Sequence, residues 1–188
     1  MATPVGHALD GYLIFSVAEG SKRADRWSFL GFSILMATGP DLDFIPGIVL
    51  GSPIYYHQGV SHSLGFAIGI GFIMAIAYSL KKGRMLLDWG LFSLAYSSHL
   101  AIDLLGPSRK PLHGLPLFWP IYERSYTAPV HIFMGVHHDE SASATTNEWS
   151  ISIFNAYNLG AIAVEVVLIL PLILLVQYLQ RKKLRGEY

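Results

Sequence analysis

Apolar residues in this chain come in long runs, without the alternation of a half-buried strand. Ser61 to Leu80 carries no formal charge and ends at Lys81-Lys82-Gly83-Arg84. Met85 to Leu105 is apolar apart from Asp88, His99 and Asp103, and Leu159 to Leu179 apart from Glu165, stopping at Arg181-Lys182-Lys183. A membrane-crossing helix needs about 20 mostly apolar residues, so each run predicts a span. Two shorter runs, Gly6 to Ala18 and Trp27 to Gly39, have 13 residues each and flank the polar turn Lys22-Arg23-Ala24-Asp25-Arg26. They predict an antiparallel helical pair packed inside the bundle. The pattern as a whole predicts an all-α integral membrane bundle of about five helices in one domain, 1–188. The helices fall near 6–19, 27–40, 61–80, 85–105 and 159–180, with a long outer loop over 106–158.

Composition agrees: hydrophobic content is 52%, charged content only 14%, and the net charge is zero, which gives no reason to expect a nucleic-acid partner. The first twenty residues lack a basic start and a small-residue cleavage site, so they are expected to stay on the mature protein. Charge sets an orientation. Ten of the thirteen Lys and Arg residues lie in the 22–26 turn, the 81–84 turn and the C-terminal tail; Arg109, Lys110 and Arg124 fall on the other side. Short basic loops mark the cytoplasmic face, so the N-terminus and the 106–158 loop are expected outside a cell (inner or plasma) membrane, with the C-terminus inside.

That topology gathers the candidate chemistry. His7, Pro40-Asp41-Leu42-Asp43, the His57 to His62 segment, and His99 with Asp103 would all lie at outer helix ends. His99 and Asp103, four apart, share a helix face and suit one ion or a self-satisfied polar pair. His57 and His62 are expected to converge from a turn and a helix start, although two loop histidines alone read as solvated. Asp41 and Asp43, in an extended turn, would point to opposite sides, one to a metal and the other to a neighbouring ion or to act as base. With no cysteine, any metal must take nitrogen and oxygen ligands. Three such pairings on one face of a small bundle predict a metal site. Glu165, an intramembrane carboxylate, is a possible additional ligand or proton acceptor, or a bundle contact to Asn or Tyr. Arg109, Lys110 and Arg124 suit a phosphate or are loop charges. His113 and His131 read as loop bystanders, and His137-His138-Asp139 as bystanders or a second metal group. The Pro- and aromatic-rich first half of the loop suggests an ordered lid or interfacial segment; Ser141 to Asn147 suggests a flexible connection.

The succession His7, Pro40-Asp41-Leu42-Asp43, His57-x-Gly59-x-Ser61-His62-Ser63, His99-xxx-Asp103 and Pro116-Leu117-Phe118-Trp119-Pro120 resembles the LexA-regulated, membrane-bound metal-dependent hydrolases (YdjM-like) over about the first 120 residues. Ser61 stands where that family usually has Thr. The family is grouped with zinc-dependent phospholipases C and related single-strand nucleases, helical enzymes with clustered zinc ions. The resemblance implies His7, Asp41, His57, His62, His99 and Asp103 as ligands of about two or three zinc ions, with other divalent metals possible, and Asp43 as a further ligand or the base. The second His-xxx-Asp/Glu pair of those relatives has no counterpart here. The expected function is hydrolysis of a phosphoester in a membrane lipid or lipid-linked headgroup by metal-activated water, with Asp41 or Asp43 taking the proton. The alternative is a non-catalytic metal-binding or transport membrane protein. A metal-free lipid phosphatase ranks low because its Pro-Ser-Gly-His motif is absent, and a zinc protease because no His-Glu-xx-His occurs. Oligomeric state is open.

Overall fold

The first helix, α1 (Pro4–Val17), starts where its chemistry says it should. Thr3 accepts the Gly6 amide on its hydroxyl at 3.2 Å, and Pro4 occupies the first turn, where a missing N–H costs nothing. The computed structural model describes residues 1–18, 23, 25–51, 55–79, 84–107, 114–138 and 146–185. Among these the architecture is all-helical, with no strand beyond a single bridge between Leu115 and Tyr126.

The second helix, α2 (Arg26–Thr38), ends just before Pro40, as expected, but the chain does not then extend: it tightens into a 3₁₀ turn, Gly39–Asp43, and continues as α3 (Phe44–Val49). Pro40 sits at the start of that turn, where its lack of an N–H is tolerated, so helix follows helix without a break. The continuous run Arg26–Val49 is 24 residues long. Asp41 and Asp43 are therefore on a helical turn rather than in extended chain, and their carboxylates do not alternate sides.

A second 3₁₀ turn, Val60–His62, precedes α4 (Leu64–Ser79), which begins later than the predicted Ser61 because Ser63 is extended and caps it, accepting the Phe66 amide at 3.1 Å. Then follow α5 (Met85–Leu104), the short α6 (Thr146–Ser152) and the 29-residue α7 (Ala156–Leu184). The last two shorten the predicted 106–158 loop. Of the expected flexible stretch Ser141–Asn147, residues 141–145 lie outside the described residues and 146–147 open α6. Two helical runs, Arg26–Val49 and α7, are long and apolar enough to cross a membrane; α4, at 16 residues, is a shorter apolar helix.

Around α1 pack α2, α5 and α7, while α4 lies on α5. Phe15, Phe29, Tyr78 and Phe92 form the aromatic core, with ring centroids 5.4 to 6.0 Å apart. On α7 the buried residues Asn158, Ala161, Glu165, Ile169 and Ile173 form one stripe, and Leu159 and Val167 are each 69% exposed. One stripe against protein and a wide apolar remainder suits a helix facing lipid. The α4–α5 contact depends on Gly71, where an added Cβ would stand 2.8 Å from the Ser93 amide nitrogen. Close approach of this kind is how helices associate where lipid is the solvent. Gly71→Val is expected to cost about 1–3 kcal/mol through overpacking, read as a lowered melting temperature in detergent.

Candidate metal centre

Four pieces of chain meet at one end of the bundle: the first turns of α1 with His7, the 3₁₀ turn with Asp41 and Asp43, the 57–62 segment, and the last turns of α5 with His99 and Asp103. His7, His62 and His99 are fully buried, and His57 and Asp103 nearly so. Their ligand atoms form two groups, Asp41 with His57, His62 and Asp103, and His7 with Asp41 and His99; within each group the atoms lie within 4.8 Å of one another. Asp41 belongs to both.

The distances suit a cation. Asp41 Oδ1 stands 3.5 Å from His99 Nε2 and 3.8 Å from His62 Nε2, and Asp103 Oδ2 is 3.7 Å from both. His7 Nε2 lies 3.3 Å from Asp103 Oδ1 and 4.0 Å from Asp41 Oδ2. Ligand atoms about 2.0–2.2 Å from a shared ion stand roughly 3 to 4 Å apart, which is this range.

Histidine tautomers point the same way. His99 Nδ1 donates to the Ala37 carbonyl at 2.7 Å, which leaves Nε2 facing the centre. Its Nε2 is 3.3 Å from His62 Nε2, two ring nitrogens that need a proton or a metal between them. Both ring nitrogens of His7 and Oδ1 of Asp41 are buried without a hydrogen bond among the described residues. Buried polar atoms are rarely left so, and a cation would satisfy them together. The rings of His7 and His99 stack at 3.6 Å. These residues can hold a divalent ion.

Asp43 has a different place from the one expected of it. Its Oδ1 lies 2.8 Å from His57 Nδ1, and its Oδ2 accepts from Ser61 Oγ at 2.6 Å and the Gln58 amide at 3.1 Å, and lies 3.1 Å from His62 Nδ1. It stands outside both ligand groups and orients two histidines from behind. Such supporting carboxylates typically contribute 10–100-fold in metal affinity. Asp43→Asn is expected to weaken binding by about that factor with all ligands present, measured by competition with a fluorescent chelator.

Burial works against a charge on His62, yet Asp41, Asp43 and Asp103 outweigh it and hold its imidazolium up to about 9. Burial pushes His57 down, against the pull of Asp43. A metal must displace the His62 proton, since only neutral imidazole ligates. Affinity is therefore expected to fall about tenfold per unit as pH drops below about 9, measured as proton release in a calorimetric titration.

Glu165 is fully buried but lies outside both ligand groups. Its Oε1 accepts the Thr3 amide at 2.7 Å and its Oε2 the Thr3 hydroxyl. A Cβ on Gly6 would lie 2.5 Å from Oε2, so Gly6 leaves room for the Glu165 carboxylate against α1. Glu165 thus anchors the start of the helix that carries His7. Beside it, the Ala2 amide donates to Asp103 Oδ1 at 2.7 Å. Arg124 is exposed on the loop, and Arg109, Lys110, His113 and Asp139 lie outside the described residues. His131 and His137 are exposed, and His138 packs on Trp149 at 5.3 Å; none of the three belongs to either ligand group.

Two residues stand out only in three dimensions. Phe44 stacks on His57 at 3.8 Å and meets Trp149 of α6. Gln58, at φ 59°, extends its side-chain amide to 3.5 Å from Asp103 Oδ2. The one sequence cue for it is the Gln58-Gly59 turn. Over Asp103 lies a crevice of about 10 Å³, lined by Gln58, Leu115, Tyr126 and Thr127, room for one water.

No curated protein and no solved structure matches the chain. The model of the family described as YdjM inner membrane protein matches residues 1–184, which takes in every ligand candidate and α7 to its last residue. With that match over nearly its whole length, the chain belongs to the YdjM inner membrane protein family.

Proposed function

We propose that the chain is a membrane-bound metal-dependent hydrolase that cleaves a phosphoester in a lipid or lipid-linked headgroup. The observation that carries this reading is the convergence of His7, Asp41, His57, His62, His99 and Asp103, mostly buried, at one end of an apolar bundle. Two zinc ions, one in each ligand group with Asp41 common to both, suit this donor set. Bound divalent ions supply water of pKa about 7 and polarise phosphoryl oxygens. Asp43 and the Ala37 carbonyl orient the histidines, and Phe44 excludes water from His57.

The end of the bundle supports a lipid headgroup as substrate. Arg23, Arg26, Arg84, Arg181, Lys182 and Lys183 cluster at the opposite end, where α1 and α4 finish. By the positive-inside rule that end is cytoplasmic and the metal centre faces outward at headgroup depth. Ligands gathered at one end, instead of spread along the bundle axis, favour surface chemistry over a transport path.

The test is reconstitution into phospholipid vesicles with zinc supplied, followed by assay of released phosphorylated headgroup. Release that stops with chelator and returns with zinc is the expected result. A fully metal-loaded protein that releases nothing from any phospholipid or lipid-linked phosphoester would leave a non-catalytic metal-binding protein.

A further inference from the structure

Beside the metal centre a cavity of about 540 Å³ opens between the start of α1, the start of α7 and the loop through Val136. That volume lies within the usual range of small-molecule sites. Its walls are hydrocarbon, contributed by Val5, Val136, Phe154, Leu159 and Ile162.

The few polar groups at its edge are already satisfied by protein. Asn158 takes the His137 amide on Oδ1 and donates from Nδ2 to the carbonyls of His137 and Ile153, each at 2.7 Å. Asn155 accepts the Asn158 amide at 2.8 Å and donates to Ser152 and His137 carbonyls. Thr3 is held by Glu165. These bonds tie the loop to α7, so the cavity is built in advance, and the side chains of Thr3, Asn155 and Asn158 among the described residues that line it are already engaged by protein. A polar ligand would lose its hydration there and gain nothing; an alkyl chain gains about 0.8 kcal/mol for each CH₂ buried.

The surroundings identify the source of such a chain. The cavity lies in the first turns of α7, one of the two helical runs able to cross a membrane, in a chain of an inner membrane protein family. At its mouth Phe154 is 88% exposed and Leu159 69%. It also adjoins the metal centre through consecutive residues: the Ala2 amide donates to Asp103, and the next residue, Thr3, lines the cavity. Neighbouring Cα atoms are about 3.8 Å apart, so the cavity wall at Thr3 stands one residue from the Ala2 amide that holds Asp103.

We propose that this cavity takes one acyl chain of a bilayer phospholipid and holds that lipid with its headgroup toward Asp103. Occupancy by the chain stands on the cavity alone; presentation of the headgroup for cleavage rests on the proposed hydrolase function.

The test uses the full chain in vesicles of phosphatidylethanolamine and phosphatidylglycerol doped with a phospholipid carrying a mid-chain diazirine. Photolysis and peptide mass spectrometry are expected to find adducts concentrated on Val5 and on residues 153–162. Ile162→Trp, and independently Ala156→Phe, both of which fill the cavity, are expected to cut those adducts about tenfold, the loss of roughly two buried methylenes, while adducts on exposed Leu170 and Leu174 persist. Two variants keep the test open if one does not fold. Adducts spread along α7 in proportion to exposure and indifferent to both variants overturn the proposal. So does a second polypeptide cross-linked at Phe154 or Leu159 in place of lipid. Metal content and headgroup release, measured on the same vesicles, separate the two readings: adducts without release keep the lipid site and remove the hydrolase, and release without adducts removes the lipid site alone.

Discussion

Asp41→Ala is expected to abolish the proposed metal-dependent hydrolysis and to lower the content of both metal positions, because Asp41 is the residue common to both ligand groups among the described residues. Metal ions contribute several kcal/mol of transition-state stabilisation, and each 1.36 kcal/mol is tenfold, so the rate loss is about 10³-fold or more. The measurement is elemental analysis beside headgroup release, with circular dichroism to verify the helices. Asp41→Asn, which keeps the shape and removes the charge, is expected to fall nearly as far. Asp43→Asn should differ in kind, binding metal more weakly yet recovering activity when zinc is raised, because Asp43 aims His57 and His62 without joining the ligand groups.

At the far end of the bundle, Asp88→Ala is expected to destabilise the fold by about 3–5 kcal/mol, the cost of breaking a buried ion pair from one side. Asp88 is fully buried at the start of α5, 2.7 Å from Arg23 Nη1 and accepting from Ser79 Oγ at 2.6 Å. Arg23 is itself buried, with its guanidinium 3.8 Å above the Phe29 ring. Removing the carboxylate leaves that cation in the core without its partner. Arg23→Met combined with Asp88→Leu is expected to recover most of the loss, since well-packed apolar replacements of buried pairs are often neutral. Chemical unfolding in detergent measures both. Metal content of the folded fraction should not change, because the pair lies at the other end of the bundle from the ligands.

Local physics was legible in the sequence, and distant pairing was not. His99 and Asp103 fall on one face through helical spacing alone, and the basic turns pointed to a bundle with ligands at one end and cations at the other. Pro40 misled, because a proline that ends an α-helix can also begin a 3₁₀ turn, and only packing against α5 decides which follows. Asp43 could not be told from Asp41 by spacing, since two residues on a tight turn both reach the cluster and only their partners differ. The role of Glu165 depends on Thr3, 162 positions away, and no local pattern announces such a contact. Arg23 read only as one charge of a polar turn, because its partner Asp88 lies on another helix. The cavity of about 540 Å³ draws on α1, α7 and the Val136 loop, three segments far apart in sequence, and no local pattern in any of them announces it.

Metal stoichiometry tests the central claim most directly. Protein purified in detergent without chelator, supplied with zinc and freed of excess ions, is predicted to hold two divalent ions per chain by elemental analysis, one for each ligand group. Protein that holds none under those conditions would contradict the account and leave His7, Asp41, His57, His62, His99 and Asp103 as polar contacts of the bundle.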